Sequence, residues 1–160
     1  MSPRTVDLAD LASLAGQELG TSRWHRIDQD TVDRFATLTN DHQWIHVDPV
    51  RAASGPFGAP VAHGFLVLAL IPGMVNEAVT VSGVRYTINK GMDRVRLNAP
   101  VRVGDQVRAR VTVASARPRP RDHQECVFAV RVEGSDPRTP VLRVELTYLF
   151  LPESSAAHLS

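Results

Sequence analysis

The run Phe65–Ile71 constrains the fold most, because it is apolar all the way round a helix and leaves no face for solvent. Gly64 precedes it. Pro72-Gly73 follows and would kink or interrupt the helix, although Met74, Val75 and Ala78 could continue it for another turn or two. A helix of this kind must be covered by other elements on every side. The run is also far shorter than the roughly 20 residues that span a bilayer. We therefore expect a buried central helix and no membrane partner.

The C-terminal half predicts the strands that cover this helix, because apolar and polar side chains alternate there in three segments. The apolar positions are Val101, Val103, Val107, Val111 and Val113, then Cys126, Phe128, Val130 and Val132, then Leu142, Val144, Leu146, Tyr148 and Phe150, with Val95 and Leu97 indicating an earlier strand. One wet and one packed face are typical of an antiparallel sheet. The sequence predicts a single α+β domain over residues 1–160, with an antiparallel sheet wrapped around the helix.

The N-terminal third predicts shorter elements. Apolar residues at helical spacing indicate an N-terminal helix within residues 1–20, and 21–27 is expected to be a strand. Asp28 or Asp30 is expected to cap a second helix that ends at Thr39-Asn40, and Asp48-Pro49 begins a short third one. A frayed tail is expected over residues 152–160.

A carboxylate and an imidazole lie close together after the second helix. Asp41 and His46 stand five residues apart in the loop 40–48, ahead of the glycine that opens the apolar helix. An acid–base pair in this position suggests an active site. Solvated or capping side chains are the alternative, and spacing alone leaves both interpretations open.

Composition excludes several classes of function. The formal charge of +1, with no long charged run, gives no support to a nucleic-acid partner. The single cysteine, Cys126, fits a reducing compartment and lies in a strand pattern where it is expected to pack rather than react. No secretory signal is visible, so we expect a cytoplasmic protein. No His, Cys and carboxylate set has metal-ligand spacing, and neither a metal nor a cofactor is expected.

The order of these elements and motifs resembles the MaoC-like dehydratases, the family of (R)-specific enoyl-CoA hydratases with a hot-dog fold. The family motif runs roughly Gly-Asp-x-Asn-Pro-Ile/Leu-His, and Asn40–His46 keeps its Asp and His. Further similar segments bring the resemblance to about residues 20–150: Pro56-Phe57-Gly58, Ala62–Leu66 and Pro100–Asp105. Three positions differ from the motif. Asn40 replaces Gly and is able to take the same left-handed turn, Gln43 replaces Asn and keeps an amide, and Trp44 replaces Pro and adds bulk.

The resemblance implies a reaction and a set of site residues. Asp41 and His46 would activate a water that adds to a trans-2-enoyl-CoA, giving the (R)-3-hydroxyacyl thioester. The backbone N–H of Gly64 would stabilise the thioester oxygen, although tight packing is another reason for a glycine there. Gln43, Trp44, His63 and Phe65 are candidate substrate-binding residues, with His63 expected chiefly to fix the loop.

The resemblance also implies an acyl-CoA or acyl carrier protein thioester as substrate, and a homodimer. Two alternatives stay open: a thioesterase on the same fold, and a non-catalytic partner subunit of a hetero-oligomeric dehydratase. Near the predicted strand that contains Val95 lie Arg85, Lys90, Arg94 and Arg96. These side chains either meet coenzyme A phosphates or form a solvated charged face.

Overall fold

A 15-residue helix, Gly64–Ala78, packs against one face of a mainly antiparallel sheet. The computed structural model describes residues 2–136 and 139–153. The helices are α1 (Gln29–Thr39), α2 (Trp44–Val47), α3 (Pro49–Ala53) and α4 (Gly64–Ala78). The strands are β1 (Arg4–Asp7), β2 (Glu18–Thr21), β3 (His25–Arg26), β4 (Val79–Ser82), β5 (Val84–Leu97), β6 (Gln106–Pro118), β7 (Gln124–Glu133) and β8 (Leu142–Pro152). The predicted α+β architecture is confirmed.

The main sheet has the strand order β2-β6-β7-β8-β5, with β3 paired to β6. Its inner face carries the alternating apolar residues that the sequence predicts, and these pack with Leu66, Ile71 and Met74 of α4 in one core cluster. Burial of such side chains contributes about 25 cal/mol per Å² of apolar surface. The core therefore fixes which face of every strand points toward α4.

One side of α4 is not covered, contrary to the expectation of cover all round. Phe65 is 71% exposed, and Ala69, Gly73 and Asn76 continue the exposed stripe along the helix. The sheet covers only the opposite side, where the buried residues recur at helical spacing: Leu66, Val67, Ile71, Met74, Val75 and Ala78. The helix also continues through Pro72 without interruption, because Met74 and Val75 beyond it are buried in the core.

The N-terminal segment differs from the predicted helix over residues 1–20. Leu8–Leu14 forms a 3-10 helix, and strands lie on both sides of it. The reason is non-local: β1 pairs in parallel with β4, and β2 pairs with β6. The predicted strand over residues 21–27 is likewise divided: Thr21 is the last residue of β2, and His25–Arg26 forms β3.

Two further boundaries were wrong. Val101 and Val103 lie before β6, because the Val103 N–H bonds to Pro60 O and Gly104 turns with a φ of 98°. The predicted frayed tail begins inside β8, which extends to Pro152, and residues 154–160 lie outside the described residues.

Candidate active site

Asp41 directly follows the C-terminal cap of α1, and the end of this helix sets its position. Asp28 caps the helix, its carboxylate accepting from the Thr31 N–H at 2.9 Å, as predicted for one of the two candidate caps. At the other end Asn40 adopts φ 59° and ψ 26°, the left-handed conformation expected of it. The N–H of Asp41 then bonds to Ala36 O at 3.1 Å. These backbone bonds turn the chain sharply, so that Asp41 starts the loop with an exposed side chain.

His46 is buried on α2 with one ring nitrogen engaged. Its Nδ1 lies 2.6 Å from Val61 O, and only 7% of the residue is exposed. Because a carbonyl only accepts, Nδ1 carries the proton in that bond and Nε2 of the neutral ring is left with a lone pair. The Gln29 amide donates to His46 O at 2.8 Å and ties α2 to α1. The arrangement holds an imidazole base in one orientation.

His63 joins the loop to the start of α4. Its Nε2 lies 2.9 Å from the backbone oxygen of Asp41, and the residue is 3% exposed. Its ring stacks on His46 with a centroid distance of 3.8 Å and an interplanar angle of 25°. The ring of Phe35 lies 5.1 Å away on a tilt. These contacts are the ones that a loop-fixing role for His63 requires.

Asp41, His46 and His63 form one cluster, with their metal-capable side-chain atoms all within 4.8 Å of one another. Residue spacing did not indicate this group of three, because His63 precedes α4 and lies far along the chain from Asp41 and His46. A single water accepts and donates across such a gap, since two hydrogen bonds of about 2.8 Å each span it. The cluster therefore has the dimensions to hold one bridging water among its three side chains.

Gly64 is the first residue of α4, so its N–H has no acceptor within the helix. A Cβ at this position would lie 2.5 Å from Leu97 Cδ1, which shows that packing also favours glycine there. Beside Gly64 opens a mostly apolar cavity of about 250 Å³ whose lining includes Ala62, Val67, Leu97 and Leu142. The cavity thus adjoins the residue whose N–H is left without a helical acceptor.

The other candidate residues are placed unequally. Trp44 packs against Arg51, whose guanidinium lies 4.4 Å from its ring centroid, and against Gly55. Gln43 is exposed and precedes α2, where its carbonyl accepts from the His46 N–H. Phe65 is exposed beside Gly64 on α4. Gln29 and the carbonyl of Val61 contact His46 but carry no sequence signal that would have identified them.

Cys126 lies away from this cluster, fully buried in β7. Burial raises the pKa of its thiol to about 12, so it remains a thiol at neutral pH and does not act as a nucleophile. Along the described part of the chain, no helix combines the length and hydropathy needed to cross a membrane.

Comparison with known proteins identifies related sequences and folds. A family model described as MaoC like domain matches residues 10–133. The 3-hydroxyacyl-thioester dehydratase Z of Mycobacterium tuberculosis is 55% identical over 102 residues, which are 64% of this chain and 68% of that protein. Nodulation protein N of Rhizobium meliloti is 43% identical over 143 residues, 86% of each chain. The unliganded R-hydratase PhaJ1 of Pseudomonas aeruginosa has a TM-score of 0.70 at 25% identity, covering 91% of this chain and 89% of its own.

Proposed function

The chain belongs to the MaoC-like family, and from that premise we propose that it hydrates trans-2-enoyl-CoA to (R)-3-hydroxyacyl-CoA and catalyses the reverse dehydration. Its named relatives include a 3-hydroxyacyl-thioester dehydratase and an (R)-specific enoyl-CoA hydratase, which are lyases, and the enzyme class follows from them. The observation that carries the proposal for this chain is the cluster of Asp41 and His46, with an unprotonated imidazole nitrogen beside a carboxylate.

The proposed mechanism uses one water held between Asp41 and His46. His46 Nε2 takes a proton from the water as its oxygen bonds to the β-carbon, and the C=C electrons move toward the thioester. The imidazolium then returns a proton to the α-carbon, so that one water has been added overall. Asp41 orients the water throughout. Positioned acid–base groups of this kind contribute about 10²–10⁴ in rate.

Gly64 is the proposed oxyanion donor. Its N–H stands at the positive end of the α4 dipole, where developing negative charge on the thioester oxygen is stabilised. Loss of one such donor costs about 2.7–4 kcal/mol in transition-state free energy. The cavity beside Gly64 would accept the start of the acyl chain. Phe65, Gln43 and Trp44 are proposed to border the substrate path.

A homodimer is proposed from two uncovered surfaces. β5 is an edge strand of 14 residues on which Tyr86 and Ile88 are 46% and 42% exposed. Long apolar edge strands are usually paired or covered. The exposed stripe of α4 that begins at Phe65 is a second such surface. Size-exclusion chromatography with light scattering should give twice the chain mass, and a monomer alone would contradict the dimer.

The decisive experiment is the loss of enoyl-thioester ultraviolet absorbance with crotonyl-CoA and a longer 2-enoyl-CoA. Asp41→Asn and His46→Gln should each lower kcat by about 10²-fold or more. His42→Gln is the matched control, because this exposed histidine lies in the same loop and outside the cluster. Chiral analysis should give the (R)-alcohol.

Failure of that experiment has a defined meaning. A folded protein that hydrates neither substrate would favour the partner-subunit alternative, and hydrolysis releasing free coenzyme A would favour a thioesterase. The same assay with 2-enoyl thioesters of acyl carrier protein shows whether the enzyme prefers coenzyme A or acyl carrier protein as the carrier of the acyl group. The chain has both Asp41 and His46, and they lie in one cluster, which supports the hydratase hypothesis over either alternative.

A further inference from the structure

Four arginines stand in one line across the outer face of the main sheet. Arg110 of β6 pairs with Arg131 of β7, Arg131 pairs with Arg143 of β8, and Arg143 pairs with Arg96 of β5. We call Arg110, Arg131, Arg143 and Arg96 the arginine row. Like charges directly opposite one another on a sheet are destabilising. A row of this kind therefore carries a standing electrostatic cost to the folded state.

The last member of the row depends on an irregularity in β5. Asp93 pairs with Glu145, so a regular ladder would set Val95 opposite Arg143, but the register shifts and Arg96 takes that place. Arg94, inside the shift, has a φ of 52°, which is uncommon for a residue with a Cβ. Bulges re-aim side chains in this way. The shift places Arg96 beside Arg143 and leaves Leu97 half-exposed against Gly64.

Carboxylates pair with arginines at both ends of this surface. Glu133 bonds to Arg108 and Arg110 at 2.9 and 3.0 Å, and Glu18 also pairs with Arg110. At the other end Glu145 lies 2.7 Å from Arg94, with Asp93 opposite it on β5. Across residues 2–136 and 139–153 no carboxylate forms an ion pair with Arg96 or Arg143. The positive charge is thus concentrated where those two arginines meet.

The surface around the row is concave. A cavity of about 370 Å³ is lined by Arg94 and all four arginines of the row, by the short residues Thr112 and Ala129, and by Glu145, whose carboxylate is paired with Arg94. Arg110, Arg131 and Arg143 alternate with buried residues, so they lie on the face away from α4, and Arg96 pairs with Arg143 at the end of the row. The dimensions are those of a small-molecule site rather than of a protein interface, which needs about 800 Å² on each partner.

We propose that the arginine row binds a small molecule carrying two or more phosphate groups. Guanidinium groups match phosphate oxygens with paired N–H donors, and several in a line suit more than one phosphate. A bound polyanion removes the repulsion between Arg96 and Arg143. The site lies on the other side of the sheet from the acyl-thioester site, and its ligand is distinct from the thioester bound there.

Titration calorimetry of the full chain at low ionic strength tests the proposal with inorganic pyrophosphate. Saturable binding that weakens ten-fold or more in Arg143→Gln and in Arg96→Gln is the expected result. Arg85→Gln is the matched control, because it removes the same charge from β5 at a place outside the cavity, and it should bind as the wild type does.

Parallel titrations with adenosine 3′,5′-bisphosphate and with ADP test whether the site recognises a nucleotide or the phosphate groups alone. Tighter binding of either nucleotide than of pyrophosphate identifies a nucleotide as the ligand class, and equal binding identifies the phosphates alone. The proposal is overturned if none of the three binds saturably, or if Arg85→Gln weakens binding as much as Arg143→Gln. Circular dichroism of each variant establishes that it is folded.

Discussion

His46 and His63 stack ring on ring, 3.8 Å between centroids, and each bonds through one nitrogen to a backbone carbonyl. The acceptors are Val61 O and Asp41 O, so both rings are held in defined tautomers with the other nitrogen unprotonated. The stack therefore couples the catalytic loop to the start of α4.

His63 is expected to position Asp41 rather than to react. His63→Leu removes the donor to Asp41 O and should lower kcat on the order of 10²-fold with a smaller change in KM, because the carboxylate is displaced from the water. His63→Gln keeps an amide donor and should recover much of that loss. Steady-state kinetics on an enoyl-CoA measure both, and equal activities for Leu and Gln would rule out the hydrogen bond as the cause.

Gly64 has two explanations that a pair of variants separates. Gly64→Ala should reduce kcat, because the new Cβ crowds both the thioester oxygen and Leu97 Cδ1 at 2.5 Å. Adding Leu97→Ala removes the contact with Leu97 alone. Activity that stays low in the double variant relative to Leu97→Ala supports close approach of the substrate to the Gly64 backbone. Full recovery would instead attribute the glycine to packing.

Asn40 should tolerate glycine but not alanine. Its φ of 59° costs an alanine about 1–2 kcal/mol, whereas glycine takes this conformation freely. Urea unfolding is expected to show Asn40→Ala less stable by about 1 kcal/mol and Asn40→Gly close to the wild type. Because Asn40 directs Asp41, activity should fall in the alanine variant as well. A fully stable alanine variant would contradict the strain.

Glu133 should make the protein more sensitive to acid. Burial acts to raise the pKa of its carboxyl, but hydrogen bonds from Arg110 and Arg108 outweigh burial and hold that pKa below its ordinary value of 4.5. A lowered pKa in the folded state contributes stability above about pH 4.5, and this is lost as the pH falls through the folded value.

The variant Glu133→Gln tests this dependence. It should lose about 1 kcal/mol at neutral pH, since both arginines are about a third exposed and solvent weakens the pairs. Its free energy of unfolding, measured with urea between pH 3 and 7, should fall less steeply in acid than that of the wild type. Parallel curves for the two proteins would exclude Glu133 as a source of the acid sensitivity.

Local signals in the sequence were the dependable ones. The caps Asp28 and Asp48, the start of α4 at Gly64 and the left-handed Asn40 all depend on residues within one helical turn, and the structure has each of them. The N-terminal strands and the register shift at Arg94 were missed, because they depend on pairing with β4, β6 and β8 far along the chain.

The sequence by itself determined the architecture and indicated Asp41 and His46 as the candidate acid–base pair. Its alternating strands and apolar helix allow one arrangement of buried faces, and the spacing of Asp41 and His46 survives in a recognisable motif. Only the tertiary structure brought His63 onto His46 and lined Arg96 up with Arg143. Both contacts join residues on different elements, and their geometry is set by how those elements pack, which residue spacing does not encode.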